Sequence, residues 1–213
     1  QGMTKNELDL KNEVQNALHF QKLFGATFEV PHHFVEYSSS KVEVQEFLSG
    51  SILAKVPQKV KSAALFELKG HFMLEQVAKH GFYGSDFQPG NIQISSKNRT
   101  QLIDFGQMGI LSVGERSNVT AFVQAYQLQQ EGKMVSVLEQ MGTRTQSYNS
   151  QKAKQLEKHL QQLIHKDQGQ EMARTISEVF RLCSDAGLMI DLPYLQLVKG
   201  LATLEGTLKS TVN

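Results

Sequence analysis

Gly84-Ser85-Asp86-Phe87-Gln88-Pro89-Gly90-Asn91 leads directly into Ile92-Gln93-Ile94, and Gln101-Leu102-Ile103 leads into Asp104-Phe105-Gly106. Residues 92–94 and 101–103 read as two short strands, and residues 95–99 between them form a polar turn rich in turn formers. An antiparallel hairpin returns the chain to its starting point. Asn91 and Asp104 are therefore expected side by side, about 5 Å apart at the backbone.

A carboxylate beside an amide oxygen, with room left for phosphate oxygens and water, suits Mg²⁺. This ion takes hard oxygen ligands and seldom an all-protein cage. Asp86 lies five residues before Asn91, across a Pro-Gly turn. It is expected to face the same space from the other side, placed to orient or deprotonate an attacking hydroxyl. Asp-x₄-Asn, a hairpin and Asp-Phe-Gly together form the pattern of kinase-like phosphotransferases. The bland alternative is that Asp86 and Asn91 shape a turn and Asp104 caps the next segment.

Ahead of this core, Thr4 and Glu7 form a candidate capping box for a helix running to about Phe24, stopped by Gly25. Leu10, Ala17, Phe20 and Phe24 share one stripe, with Glu13 in its middle. A carboxylate there calls for a cationic or hydrogen-bonding partner, unless that end of the face is open to solvent. Strands are expected at 34–37 and 41–47, joined by Ser38-Ser39-Ser40, with Val42 and Val44 alternating with polar residues. Gly50-Ser51 reads as a break, followed by a long helix over about 60–79 ended by Gly81. Beyond residue 115 helices are expected at about 115–130, 133–141, 150–165, 170–187 and 193–210, the last opening at Pro193. Its apolar positions 195, 198, 201, 204 and 208 predict docking on the body.

Lys plus Arg number 22 and Asp plus Glu 21, so charge points neither to nucleic acid nor to an acidic tail. No run of eighteen apolar residues and no signal peptide is evident, which fits a cytoplasmic protein, peripheral to a membrane at most. Gln1-Gly2 ahead of Met3 reads as a tag remnant. The single cysteine, Cys183, sits in an apolar helical run and is expected buried and inert. The seven histidines form no Cys/His cluster, so zinc is not expected, and His32-His33 reads as a surface pair.

On these motifs the chain resembles the UbiB (AarF-domain) family of atypical kinases. The family's His-Ala-Asp-Pro-His-Pro-Gly-Asn stretch is matched by Gly84 to Asn91, and its Leu-Ile-Asp-Phe-Gly by Leu102 to Gly106. Glu7-Leu8-Asp9 and Glu13 resemble the family's Glu-x-Asp helix. Glu46-Phe47-Leu48 resembles the hinge between lobes, and Leu204-Glu205-Gly206 the C-terminal helices. The resemblance implies an α/β (α+β) kinase-like fold, with a partial N-lobe over 3–50 and a mainly helical C-lobe over 51–213. It implies Asp86 in the catalytic-aspartate position, Asn91 and Asp104 as metal ligands, and Glu13 as the partner of an N-lobe lysine. Glu7 and Asp9 would stand near the phosphates, and the backbone of Glu46, Phe47 and Leu48 would hold adenine. ATP or ADP and Mg²⁺ are the implied cofactors. Quinone-pathway proteins, lipid or a membrane surface are the implied partners, in support of isoprenoid quinone (ubiquinone) biosynthesis.

Two departures bear on activity. The family's two catalytic-loop histidines are Gly84 and Gln88 here, and no lysine stands in a Val-Ala-x-Lys strand. Only ten residues, Met3 to Asn12, precede Glu13 after the tag remnant, too few for a phosphate-covering loop and its strand. Weak or absent transfer is therefore expected, because positioning dominates phosphoryl transfer. The alternatives are a non-catalytic pseudokinase and a small-molecule phosphotransferase of the aminoglycoside or choline kinase type.

Overall fold

The computed structural model describes residues 9–166 and 172–212. Thr4 and Glu7, and the first two residues of the helix expected from 170, lie outside them. Helix α1, Leu10–Phe24, starts later than Thr4. Asp9 has extended backbone angles and its carboxylate accepts a hydrogen bond from Lys11 N at 3.1 Å, an N-cap that sets the first turn. The helix buries Val14, Ala17, Phe20 and Phe24, the stripe that the 3.6-residue period requires.

After α1 the chain runs along the outer edge of the hairpin. Glu29 N bonds to Thr100 O, and Leu102 N to Glu29 O, both at 3.0 Å. A ribbon of two extended arms follows, in which Phe34 N bonds to Val44 O and Glu46 N to His32 O. The strand expected at 34–37 is instead a 3₁₀ turn, Val35–Tyr37. Ser38 explains the difference. Its hydroxyl donates to Phe34 O and accepts from Val44 N, taking ladder positions that a regular hairpin would use.

The expected break at Gly50-Ser51 is part of the sheet. Strand β1, Ser51–Ile52, pairs antiparallel with β3, Ile92–Ile94, and β3 pairs with β4, Thr100–Leu102. Helix α2, Gln58–His71, continues as wider π-helical turns over Phe72–His80. Gly81, at φ 66°, ends it in the left-handed region that a side chain disfavours. Strand β2, Phe82–Gly84, then pairs with β5, Met108–Ile110, so the two flanks of the hairpin are themselves paired.

Helix α3, Val113–Gln127, opens two residues before the expected start, with a capping box between Ser112 and Glu115. Helices α4 (Glu131–Leu138), α5 (Ser150–Lys166), α6 (Met172–Ala186) and α7 (Leu192–Val212) follow. A small pair, β6 (Gly142–Arg144) with β7 (Leu188–Ile190), joins the starts of α5 and α7; its three-residue strands carry too little pattern to be read from sequence. Helix α7 docks through Val198, Leu201 and Leu204, all buried, while Leu195 stays exposed. Glu205 holds that face. It accepts from Lys69 Nζ at 2.5 Å on α2 and from Ala173 N at 2.9 Å on α6. Cys183 is fully buried, and burial pushes its thiol up to about 12.

Candidate nucleotide and metal site

Asp86, Asn91 and Asp104 line one cavity, together with Phe20, Phe87, Phe105 and Gln107. The hairpin puts them there. Ile92 pairs with Leu102, and Ile103 N bonds to Asn91 O at 3.3 Å. Asn91 thus faces Ile103, and Asp104 lies one residue beyond, diagonal to Asn91 rather than directly opposite it. Asn91 Nδ2 donates to Asp86 O at 3.3 Å and leaves Oδ1 as an acceptor, met by Gln88 Nε2 at 3.4 Å. Asp104 is exposed, and its Oδ1 accepts from Gly106 N at 3.0 Å.

The loop holding Asp86 is braced from several sides. Ser85 donates to Gln107 O through both its N–H and its hydroxyl, each at 2.9 Å. Buried Gln76 accepts from Gly84 N at 3.2 Å. Thr207 of α7 donates to Phe87 O at 2.7 Å. A Cβ at Gly200 would stand 3.1 Å from Gly84 O and from Ser85 Cα, so a glycine lets α7 press against this loop. None of these supports carried a sequence signal by itself; they become visible only when α7 lies under the loop.

Glu13 stands beside Asp104. Its carboxylate accepts from Phe105 N at 3.3 Å, and a Cβ at Gly106 would lie 3.4 Å from both Glu13 Oε2 and Asp104 Oδ1. Burial first, and the Asp104 charge second, raise the Glu13 carboxyl above its ordinary range. Among the described residues Glu13 forms no ion pair. Asn16, one turn on, donates to Phe105 O at 3.0 Å, so α1 grips both polar groups of Phe105. The Phe105 ring is buried against Phe20.

Glu43 is a carboxylate that the sequence reading missed. The alternation of Val42 and Val44 suggests that Glu43 points outward, yet Val42 is 53% exposed and Glu43 turns inward. Burial, then the charges of Glu13 and Asp104, push its carboxyl up to about 7. His33, expected at the surface, is 2% exposed, with Nδ1 2.9 Å from Glu43 Oε1 and its ring edge-on to Phe105. The parity fails because the ribbon is not a regular strand, so period two does not govern which residues it buries. The imidazole and carboxylate approach without the alignment of a hydrogen bond.

The hinge-like residues lie elsewhere. Glu46 and Leu48 line a separate open groove of about 480 Å³ with Gln21, Gly25, Phe28, Glu29 and Val30, and Phe47 is 91% exposed. Glu46 N is taken by His32 O, and its carboxylate accepts from His32 N at 3.1 Å. Asp9 caps α1.

Mg²⁺ fits the donor set in part. Asn91 and Asp104 supply hard oxygens, but no three acidic or histidine side chains converge as a ready cage among the described residues. An ion there would take its remaining ligands from phosphate and water, as Mg²⁺ commonly does. The cavity itself measures about 10 Å³, room for one water. It is too small to enclose anything larger than that.

The ABC1 atypical kinase-like domain pattern matches residues 1–138. An uncharacterized chloroplastic aarF domain-containing protein kinase of Arabidopsis thaliana is 36% identical over 105 residues, 48% of this chain and 15% of that protein. AarF domain-containing kinase 1 of Drosophila melanogaster is 32% identical over 120 residues, 54% of this chain and 22% of its own length. The chain spans well under a third of either relative. Rv3197 of Mycobacterium tuberculosis, solved in complex with erythromycin, superposes with a TM-score of 0.60 at 18% identity, across 95% of this chain and 56% of that one. The shared fold with Rv3197 and the match to a kinase-like domain agree on a mixed α+β, kinase-like architecture. No helix among the described residues is long and apolar enough to cross a membrane. The chain belongs to the ABC1 (AarF) atypical kinase-like family.

Proposed function

We propose that this chain binds Mg²⁺-ATP over the cavity lined by Asp86, Asn91 and Asp104, and turns it over slowly. The observation that carries this reading is the convergence of those three side chains at one end of the β3–β4 hairpin. In it, Asn91 Oδ1 and Asp104 would hold the ion, which when bound would supply charge neutralisation at the terminal phosphates. Asp86 holds or removes the proton of the attacking hydroxyl or water. Glu13 fixes Asp-Phe-Gly by accepting from Phe105 N. Adenine would have to extend from that cavity toward the separate groove lined by Leu48, where the backbone groups of Phe47 and Leu48 make no hydrogen bonds among the described residues.

Low turnover follows from the residues at hand. Gly84 and Gln88 offer no imidazole for proton handling, and among the described residues no lysine pairs with Glu13. We read residues 3–50 as the part of the smaller lobe that carries Glu13, and residues 51–213 as the larger lobe. Family membership supports a role alongside isoprenoid quinone biosynthesis, with lipid or quinone-pathway proteins as partners at a membrane surface. A second reading, a non-catalytic pseudokinase, is favoured by the one-water size of the cavity.

Thermal unfolding with millimolar ATP and MgCl₂ separates the two. A competent site gains stability as the logarithm of ligand concentration over Kd. The expected result is a rise in Tm that needs both Mg²⁺ and ATP and disappears in Asp104→Asn. An unchanged Tm for the wild-type chain favours the pseudokinase.

A further inference from the structure

We infer that Lys199, on the C-terminal helix, is a nucleotide-binding residue that contacts the terminal phosphate of ATP; this rests on the Mg²⁺-ATP reading above. Three observations lead there. First, the cavity wall holds the carboxylates of Asp86 and Asp104 and no lysine or arginine. A triphosphate adds negative charge at a place already negative, so a cation beyond the metal is required nearby.

Second, Lys199 is brought to the rim by the packing of α7. Gly200, its neighbour, lies against Gly84 O and Ser85 Cα, immediately before Asp86. Lys199 Nζ then donates to Gln107 Oε1 at 2.5 Å, and Gln107 is part of the cavity wall. This is the Asp86 side of the site, where a transferring phosphate meets its acceptor.

Third, Lys199 is exposed and forms no ion pair among the described residues. Its acceptor is a neutral amide, a weaker partner than an anionic oxygen. A phosphate oxygen placed at the mouth of the cavity would displace Gln107, and the flexible lysine stem allows the short swing needed.

The test is calorimetric titration of the full chain with Mg²⁺-ATP and Mg²⁺-ADP, for wild type, Lys199→Ala, Lys199→Arg, Gln107→Ala and Asp104→Asn. A charge-assisted bond to the terminal phosphate corresponds to a loss of about tenfold or more in ATP affinity on its removal. The expected result is that Lys199→Ala weakens ATP by that factor and leaves ADP unchanged, while Lys199→Arg and Gln107→Ala keep the wild-type preference for ATP. Equal ATP affinity in Lys199→Ala and wild type overturns the inference. So does an equal loss in Gln107→Ala, because Lys199 would then act only by fixing that side chain. If the wild type binds metal-dependently, and Asp104→Asn does not, these failures leave the Mg²⁺-ATP reading standing. Absence of any binding by the wild type overturns both.

Discussion

The β3–β4 hairpin and the ribbon of residues 32–46 flank the same Asp-Phe-Gly segment, yet they are built differently. The hairpin is a regular antiparallel ladder with Ile92, Ile94 and Leu102 buried beneath it. The ribbon is held by a few backbone bonds and by Ser38, and it leaves Val42 in solvent while Glu43 and His33 turn inward. The hairpin is stabilised by apolar burial and carries its polar groups at its open end. The ribbon brings a buried acid and a buried imidazole to the back of the site, where their protonation matters. Regular ladder geometry fixes where side chains go, and irregular backbone leaves that choice to neighbours.

The largest difference expected between the two regions is in stability. Ile92→Ala should cost about 2–5 kcal/mol in chemical denaturation, because Ile92 is fully buried and its methyl groups would leave a cavity. Val42→Ala should stay within about 0.5 kcal/mol, as surface substitutions do. Similar losses at both positions would erase the contrast.

The next largest effect is one of pH, and it belongs to the ribbon. Glu43 titrates near 7 in the folded chain and near its ordinary value of 4.5 when unfolded. Between those values the folded state holds more protons than the unfolded one, so this group makes stability fall as pH rises through that window. His33 is shifted downward by burial and by His32, and its contribution is lost instead as pH falls below 6.5. Glu43→Gln should therefore raise Tm at pH 8 by a few degrees and change it little at pH 5. A gain of equal size at both pH values would show that charge on Glu43 is not the cause.

A smaller effect is expected where α1 touches the hairpin's end. Asn16→Ala removes the bond to Phe105 O and should lower stability by about 1 kcal/mol. If Glu13 and Asn16 hold Phe105 jointly, Glu13→Gln combined with Asn16→Ala should lose less than the sum of the single changes or more, but not equal it. Strict additivity would mean that the two grip it independently.

The same contrast governs how much could be read in advance. The hairpin site was legible because Asp86, Asn91 and Asp104 stand at fixed spacings around two strands and a turn, all local features. The helices were legible from period, Pro193 and Gly81, though Ser112 and Asp9 moved two starts. Glu43 and His33 were not legible. His33 read as one of a surface pair and Glu43 carried no signal of its own, and only contacts from Phe105 and the charges of Glu13 and Asp104 reveal where they are. Gln107, Thr207 and Lys199 were hidden for the same reason: Gln107 and Thr207 meet the Asp86 loop across 22 and 120 residues of sequence, and Lys199 meets Gln107 across 92.

The central claim, that Asn91 and Asp104 share one ion in the presence of nucleotide, is tested most directly by electron paramagnetic resonance with Mn²⁺ in place of Mg²⁺. Titrating the full chain with Mn²⁺ and ATP should show one bound ion per chain, lost in Asp104→Asn and in Asn91→Ala and retained in Val42→Ala. Binding of Mn²⁺ that survives both site substitutions, or an ion bound equally well without ATP, would contradict it.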